Sequence, residues 1–77
     1  MMKKRIIEML HEINPFEDID ENTQLIKEGI MDSLTLVLFI EQLEEEFDIQ
    51  VQETFLKPEN FENVDKIVEL VKKCHDN

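Results

Sequence analysis

The stretch Asp32-Ser33-Leu34-Thr35-Leu36-Val37-Leu38-Phe39-Ile40-Glu41-Gln42-Leu43-Glu44-Glu45-Glu46-Phe47-Asp48 decides the fold. It contains no Gly or Pro to interrupt a helix, and Asp32 or Ser33 can act as its N-cap, so the segment is expected to be helical to about Asp48. At about 100° per residue, Leu36, Phe39, Ile40, Leu43 and Phe47 fall on one stripe, wide enough to serve as a core face. Leu34, Val37 and Leu38 are surplus to that stripe, and the face they occupy continues into Glu41, Glu44, Glu45 and Asp48. Taken singly, Leu34 and Val37 are as readily covered by a neighbouring loop as exposed. Their convergence with an acidic rim and a serine at the helix start reads as a docking face laid against a partner.

On either side of this helix the pattern is helical again, with one long interruption. Met2, Ile6, Met9, Leu10 and Ile13 form one stripe, and Pro15 disfavours the α conformation at Asn14, ending the first helix there. Residues 14–32 show no sustained period and are expected to form one ordered loop, pinned to the core by Phe16, Ile19, Leu25, Ile26 and Ile30. Loops longer than about 12–15 residues are uncommon in compact domains and usually functional. This one leads to Gly29, the only glycine, just before the helix start, where a residue free to adopt positive φ is useful. After the central helix, residues 49–56 are irregular. Pro58 can open a short helical turn through Phe61. Asn63 can cap a last helix carrying Val64, Ile67, Val68 and Val71, with Lys72 and Lys73 at its dipole-favoured end. The expected fold is all-α: a small four-helix bundle of three main helices plus a short third one, with a long first loop, in a single domain spanning residues 1–77.

Composition narrows the function. A chain of 77 residues buries only roughly 60% of its unfolded surface, so nearly all of its large apolar residues are needed for the core and little remains to build an enclosed pocket. Nineteen acidic against eight basic residues give a net charge of −11, which repels nucleic acid and anionic membranes and favours basic protein partners. The single Cys74 cannot form an internal disulfide, which suits the cytoplasm, although near the C-terminus it could link two chains on oxidation. Met1-Met2-Lys3-Lys4-Arg5 has the charge of a signal-peptide start, but Glu8, His11 and Glu12 interrupt the apolar stretch that should follow. The longest apolar run, Leu36–Ile40, is far shorter than the ~20 residues of a membrane span.

The enzymatic and metal chemistries fit poorly. Ser33 lacks the alternating glycines of a nucleophile elbow, and a general base would have to be His11 or His75, both remote in sequence. Without further context Ser33 reads as a plain helix cap. Asp18, Asp20 and Asn22 match the first three ligand positions of a calcium loop, but Thr23 stands where its turn needs glycine and Gly29 where it needs a bidentate glutamate. Cys74-His75 supplies two ligands where structural zinc needs four, so no metal site and no catalytic residues are expected. A serine at a helix N-terminus does suit one modification, because the dipole and the unpaired N–H groups there favour a phosphodiester.

Asp32-Ser33-Leu34, followed by a helix ending Glu44-Glu45-Glu46-Phe47-Asp48-Ile49, resembles the acyl and peptidyl carrier proteins over essentially the whole chain. That resemblance implies that Ser33, beside Asp32, carries covalent 4′-phosphopantetheine, installed from coenzyme A by a phosphopantetheinyl transferase. It implies a non-catalytic, monomeric carrier that holds its cargo as a thioester. Leu34, Val37, Leu38, Glu41, Glu44, Glu45 and Asp48 would be its docking surface for an adenylating acyl or aminoacyl ligase and a downstream acyltransferase. The approach Lys27-Glu28-Gly29-Ile30-Met31-Asp32-Ser33 looks closer to D-alanyl carriers and stand-alone aminoacyl carriers than to fatty-acid carriers, as does Pro58-Glu59-Asn60-Phe61. D-alanyl carriers commonly place Phe where this chain has Leu34. A fatty-acyl or polyketide carrier is the alternative within the class, and an unmodified acidic helical adaptor the alternative outside it.

Overall fold

A computed structural model describes residues 2–76; Met1 of the basic N-terminal stretch and Asn77 lie outside the described residues. Helix α1 spans Met2–Ile13, α2 spans Ser33–Phe47 and α3 spans Val64–Asp76. Between α2 and α3 lie two short 3₁₀ turns, Glu53–Phe55 and Pro58–Phe61. The expected fourth helix is therefore only a turn. Pro58 has no N–H to give, and Asn60 N reaches back just three residues to Lys57 O at 3.0 Å, so the segment closes as 3₁₀ and stops within four residues. The architecture is a three-helix bundle with short turns. The Glu53–Phe55 turn falls in the stretch read as irregular, and its three residues are too few to show a period.

The apolar stripes meet in one core. Ile6, Met9 and Leu10 of α1, Phe39 and Leu43 of α2, and Val64, Ile67, Leu70, Val71 and Cys74 of α3 are buried together, with Phe61 beneath the second 3₁₀ turn. Leu36, Ile40 and Phe47 complete the central stripe as half-buried neighbours of that core. Ion pairs bind the surface: Arg5 Nη2 lies 3.0 Å from Glu46 Oε1, and Lys3 Nζ lies 2.9 Å from Asp65 Oδ1. The Asn63 side chain caps α3 as expected, its Oδ1 accepting from Lys66 N at 2.9 Å.

The first loop is ordered by a different set of anchors from the expected one. Ile19, Leu25 and Ile30 are buried and Ile26 is half-buried, but Phe16 is 100% exposed. The chain turns sharply at Asn14-Pro15-Phe16-Glu17, with Glu17 N bonded to Asn14 O at 3.1 Å, and this tight turn leaves the ring in solvent instead of on the core. Two anchors outside the expected set replace it, of which only Thr23 lacks a hydropathy signal. Met31 is buried, and so is Thr23, whose hydroxyl accepts from Asp20 N at 2.9 Å and donates to Asp20 Oδ1 at 3.2 Å. The same Asp20 Oδ1 accepts from Asn22 N, so the carboxylate that resembled a calcium ligand holds its own turn. Cys74 is 8% exposed, so its thiol is largely shielded from a second chain in the folded state. Among the described residues no helix is long and apolar enough to cross a membrane.

Candidate functional site

The start of α2 is built by the loop that precedes it. Leu25 N donates to Glu62 O at 2.8 Å, fixing the loop to the turn before α3, and Met31 N donates to Leu25 O at 2.9 Å, closing the loop on itself. Between these bonds Gly29 adopts φ +75°, and no atom lies within 4 Å of where a Cβ would stand, so its backbone conformation alone is what calls for glycine. Buried Ile30 and Met31 then hold the chain immediately before Asp32. A loop without helical period thus delivers one residue pair to a defined place.

Asp32, in extended conformation, is the N-cap. Its Oδ1 accepts from Thr35 N at 2.8 Å, and its carbonyl accepts the first intrahelical bond from Leu36 N at 2.8 Å. The Thr35 N–H and then the Thr35 hydroxyl hold the Asp32 carboxyl below its ordinary value; partial desolvation opposes them and the Leu34 N–H adds to them. Ser33 is the first residue of the helix and is exposed, with the capping task already taken by its neighbour. His11 and His75 are both exposed, and among the described residues no cluster of three metal-ligating side chains occurs.

The surplus face is open. Leu34 is 71%, Val37 56% and Leu38 44% exposed, so no loop covers them. Glu41, Glu44, Glu45 and Asp48 all line one open groove together with residues 49–52, the segment that follows α2. The acids are not equivalent there. Glu41, Glu45 and Asp48 are exposed, whereas Glu44 is half-buried and its Oε2 accepts from Val51 N at 2.9 Å. Asp48 ends α2 in the left-handed region, φ 53° and ψ 53°, with its N–H on Glu44 O. No hydropathy signal distinguishes Glu44 from Glu45; what separates them is a tertiary hydrogen bond.

An acidic three-helix bundle that presents an exposed serine at a capped helix start, beside an open apolar patch, fits the class of group carriers. The comparisons agree. The phosphopantetheine attachment site family matches residues 4–71. D-alanyl carrier proteins from two strains of Lactobacillus delbrueckii subsp. bulgaricus are each 36% identical over 77 residues, covering 97% of this chain and 95% of theirs. No solved structure matches at a significant level. The chain belongs to the phosphopantetheine attachment site family and is related at modest identity to D-alanyl carrier proteins. It is a non-catalytic, phosphopantetheine-dependent carrier that presents an acyl or aminoacyl thioester to partner enzymes, and carriers of this family interact with phosphopantetheinyl transferases and acyl-transfer enzymes.

The residues present fit the group. Ser33 offers a hydroxyl in solvent at the positive end of α2, and Asp32 directs its carboxylate onto Thr35 N. When bound, 4′-phosphopantetheine supplies a terminal thiol that holds the cargo as a thioester. The chain's own side chains hold no proton for that chemistry. They orient the helix start, keep it exposed and present an apolar patch to whatever approaches.

Proposed function

We propose that Ser33 is the attachment residue, and that the carrier receives an aminoacyl group, D-alanyl first among the candidates, from an adenylating ligase and delivers it to an acyltransferase. The observation that carries this reading is the division of labour at the helix start: Asp32 takes the cap at 2.8 Å and leaves Ser33 exposed at the first helical position. The aminoacyl cargo is supported by the approach Gly29-Ile30-Met31-Asp32-Ser33 and by relatives that are themselves named D-alanyl carrier proteins. Leu34, Val37 and Leu38 form the apolar centre of the docking face, with Glu41, Glu45 and Asp48 as its charged rim and Glu44 at its edge. Rim charges of this kind steer encounter while leaving release fast, which suits a carrier that must leave each partner in every cycle. The reading takes residues 1–77 as one carrier domain, monomeric and cytoplasmic; the unpaired, buried Cys74 and the net charge of −11 support it.

The test is intact-protein mass after incubation with coenzyme A, magnesium and a broad-specificity phosphopantetheinyl transferase, followed by adenylating enzymes with D-alanine or other acids. One phosphopantetheine group is expected on the native chain and none on Ser33→Ala. A group retained by Ser33→Ala overturns the attachment assignment. Loading by fatty-acid-activating enzymes, with none by aminoacyl-activating ones, overturns the cargo while leaving the attachment intact.

A further inference from the structure

Three pieces of chain meet at the far end of α2. Glu44 accepts three backbone N–H groups: its carbonyl takes those of Asp48 and of Ile49, the latter at 3.2 Å, and its carboxylate takes that of Val51 at 2.9 Å. From α3, Cys74 is buried against the same place, with the Gln52 N–H at its thiol and Glu44 near enough for its charge to act there. Ile49, also buried, fixes one end of the segment that follows α2; between it and the 3₁₀ turn at Glu53 the carboxylate of Glu44 holds Val51 N, and the Cys74 thiol meets the neighbouring Gln52 N–H. That segment lines the groove together with Glu41, Glu45 and Asp48.

We propose that Glu44 is a positioning residue: its carboxylate staples Val51, and through it residues 49–52, over Cys74, holding that part of the docking groove in place. Its reach matters and its charge does not, which sets it apart from Glu41 and Glu45. The staple deepens the function proposed above, since its effect on loading rests on partners docking along α2, but the packing it controls can be read without any partner. An acceptor oxygen of the right reach holding a half-buried N–H favours the closed segment over its locally opened forms, so losing the bond raises the opening population and with it access to the thiol beneath.

Two conservative variants of the full chain separate reach from charge. Glu44→Gln keeps the length and an acceptor oxygen for Val51 N but removes the charge. Glu44→Asp keeps the charge and shortens the side chain by one methylene. The first readout is the alkylation rate of Cys74 by iodoacetamide under native conditions; the second is KM for modification by a broad-specificity phosphopantetheinyl transferase with coenzyme A. Glu44→Asp is expected to speed alkylation about tenfold and to raise KM, while Glu44→Gln stays within about twofold of the native chain in both. Glu45→Gln, which breaks no backbone bond, leaves alkylation unchanged. The proposal is overturned if Glu44→Asp alkylates at the native rate, or if Glu44→Gln is impaired and Glu44→Asp is not, the pattern of a plain docking charge. A native chain that accepts no phosphopantetheine overturns the Ser33 assignment, and the alkylation rates still decide the staple.

Discussion

Asp32 Oδ1 lies 2.8 Å from Thr35 N, so the residue before the serine, and not the serine, caps α2. Ser33 therefore contributes little to folding. Ser33→Ala is expected to abolish phosphopantetheine loading while changing stability by no more than about 0.5 kcal/mol, because alanine is favourable at a helical position and no bond of the cap is removed. Chemical denaturation of the variant beside its intact mass checks both halves. A large loss of stability would mean that the hydroxyl holds the loop or the helix start.

The same bond sets a dependence on pH. Asp32's carboxyl is held below its ordinary value of 3.8 by Thr35, so near that pH the unfolded chain binds more protons than the folded one. The stabilisation from this group is present above the unfolded value and is lost as pH falls through the lower, folded value. Asp32→Asn keeps an acceptor for Thr35 N without a titrating group, so its thermal midpoint should converge on that of the native chain as pH drops below 3.8. Asp32→Ala loses the cap and melts a few degrees lower at neutral pH. Unfolding followed by circular dichroism between neutral pH and acid separates the two; an Asn variant that tracks the native chain at constant offset throughout would remove the titration.

The three α-helices and the open patch were legible because each rests on a rule that acts within a few residues: helical period, and more apolar residues than one stripe can bury. Capping chemistry narrowed the N-cap of α2 to Asp32 or Ser33, and the bond to Thr35 N decides for Asp32. What escaped depends on contacts across the chain. Phe16 and Leu25 are both large apolar residues in one aperiodic loop, and hydropathy cannot tell them apart; a tight turn at Pro15 exposes the first, and a backbone bond to Glu62 seats the second in the core. Glu44 and Glu45 are adjacent acids on one helix, about 100° apart, and only the fold brings Val51 N to the first of them. The resemblance to carrier proteins pointed to Ser33 where its own chemistry suggested no more than a cap.

The difference between those two loop residues is measurable. Leu25→Ala removes a fully buried side chain from the core beneath the loop and should cost about 2–5 kcal/mol. Phe16→Ser removes one that touches only solvent and should stay within about 0.5 kcal/mol of the native chain. Because the buried Leu25 side chain seats the backbone whose carbonyl anchors Met31 N, its truncation loosens that anchor, and the Leu25 variant should slow loading at Ser33 even at temperatures where it remains folded. Equal destabilisation by the two changes would show that Phe16 packs onto the molecule in solution.

The proposed docking face divides into apolar and charged parts that are expected to respond differently to salt. Leu34→Ser alters a residue that is 71% exposed, so stability is unaffected, and the loss of apolar contact raises KM for the transferase at every ionic strength. Glu41→Lys and Glu45→Lys act at long range, by reversing the field that steers a basic partner to α2. From Glu28 to Leu56 the chain has no Lys, Arg or His to compensate. Their penalty should be several-fold at low ionic strength and should shrink towards high salt, where the screening length falls from about 10 Å at 0.1 M to about 3 Å at 1 M. Initial rates of modification over a salt series check this. Charge-reversal penalties that persist unchanged at 1 M would mean that these glutamates make close contacts instead of steering, and rates unchanged at low salt would take them out of the docking face.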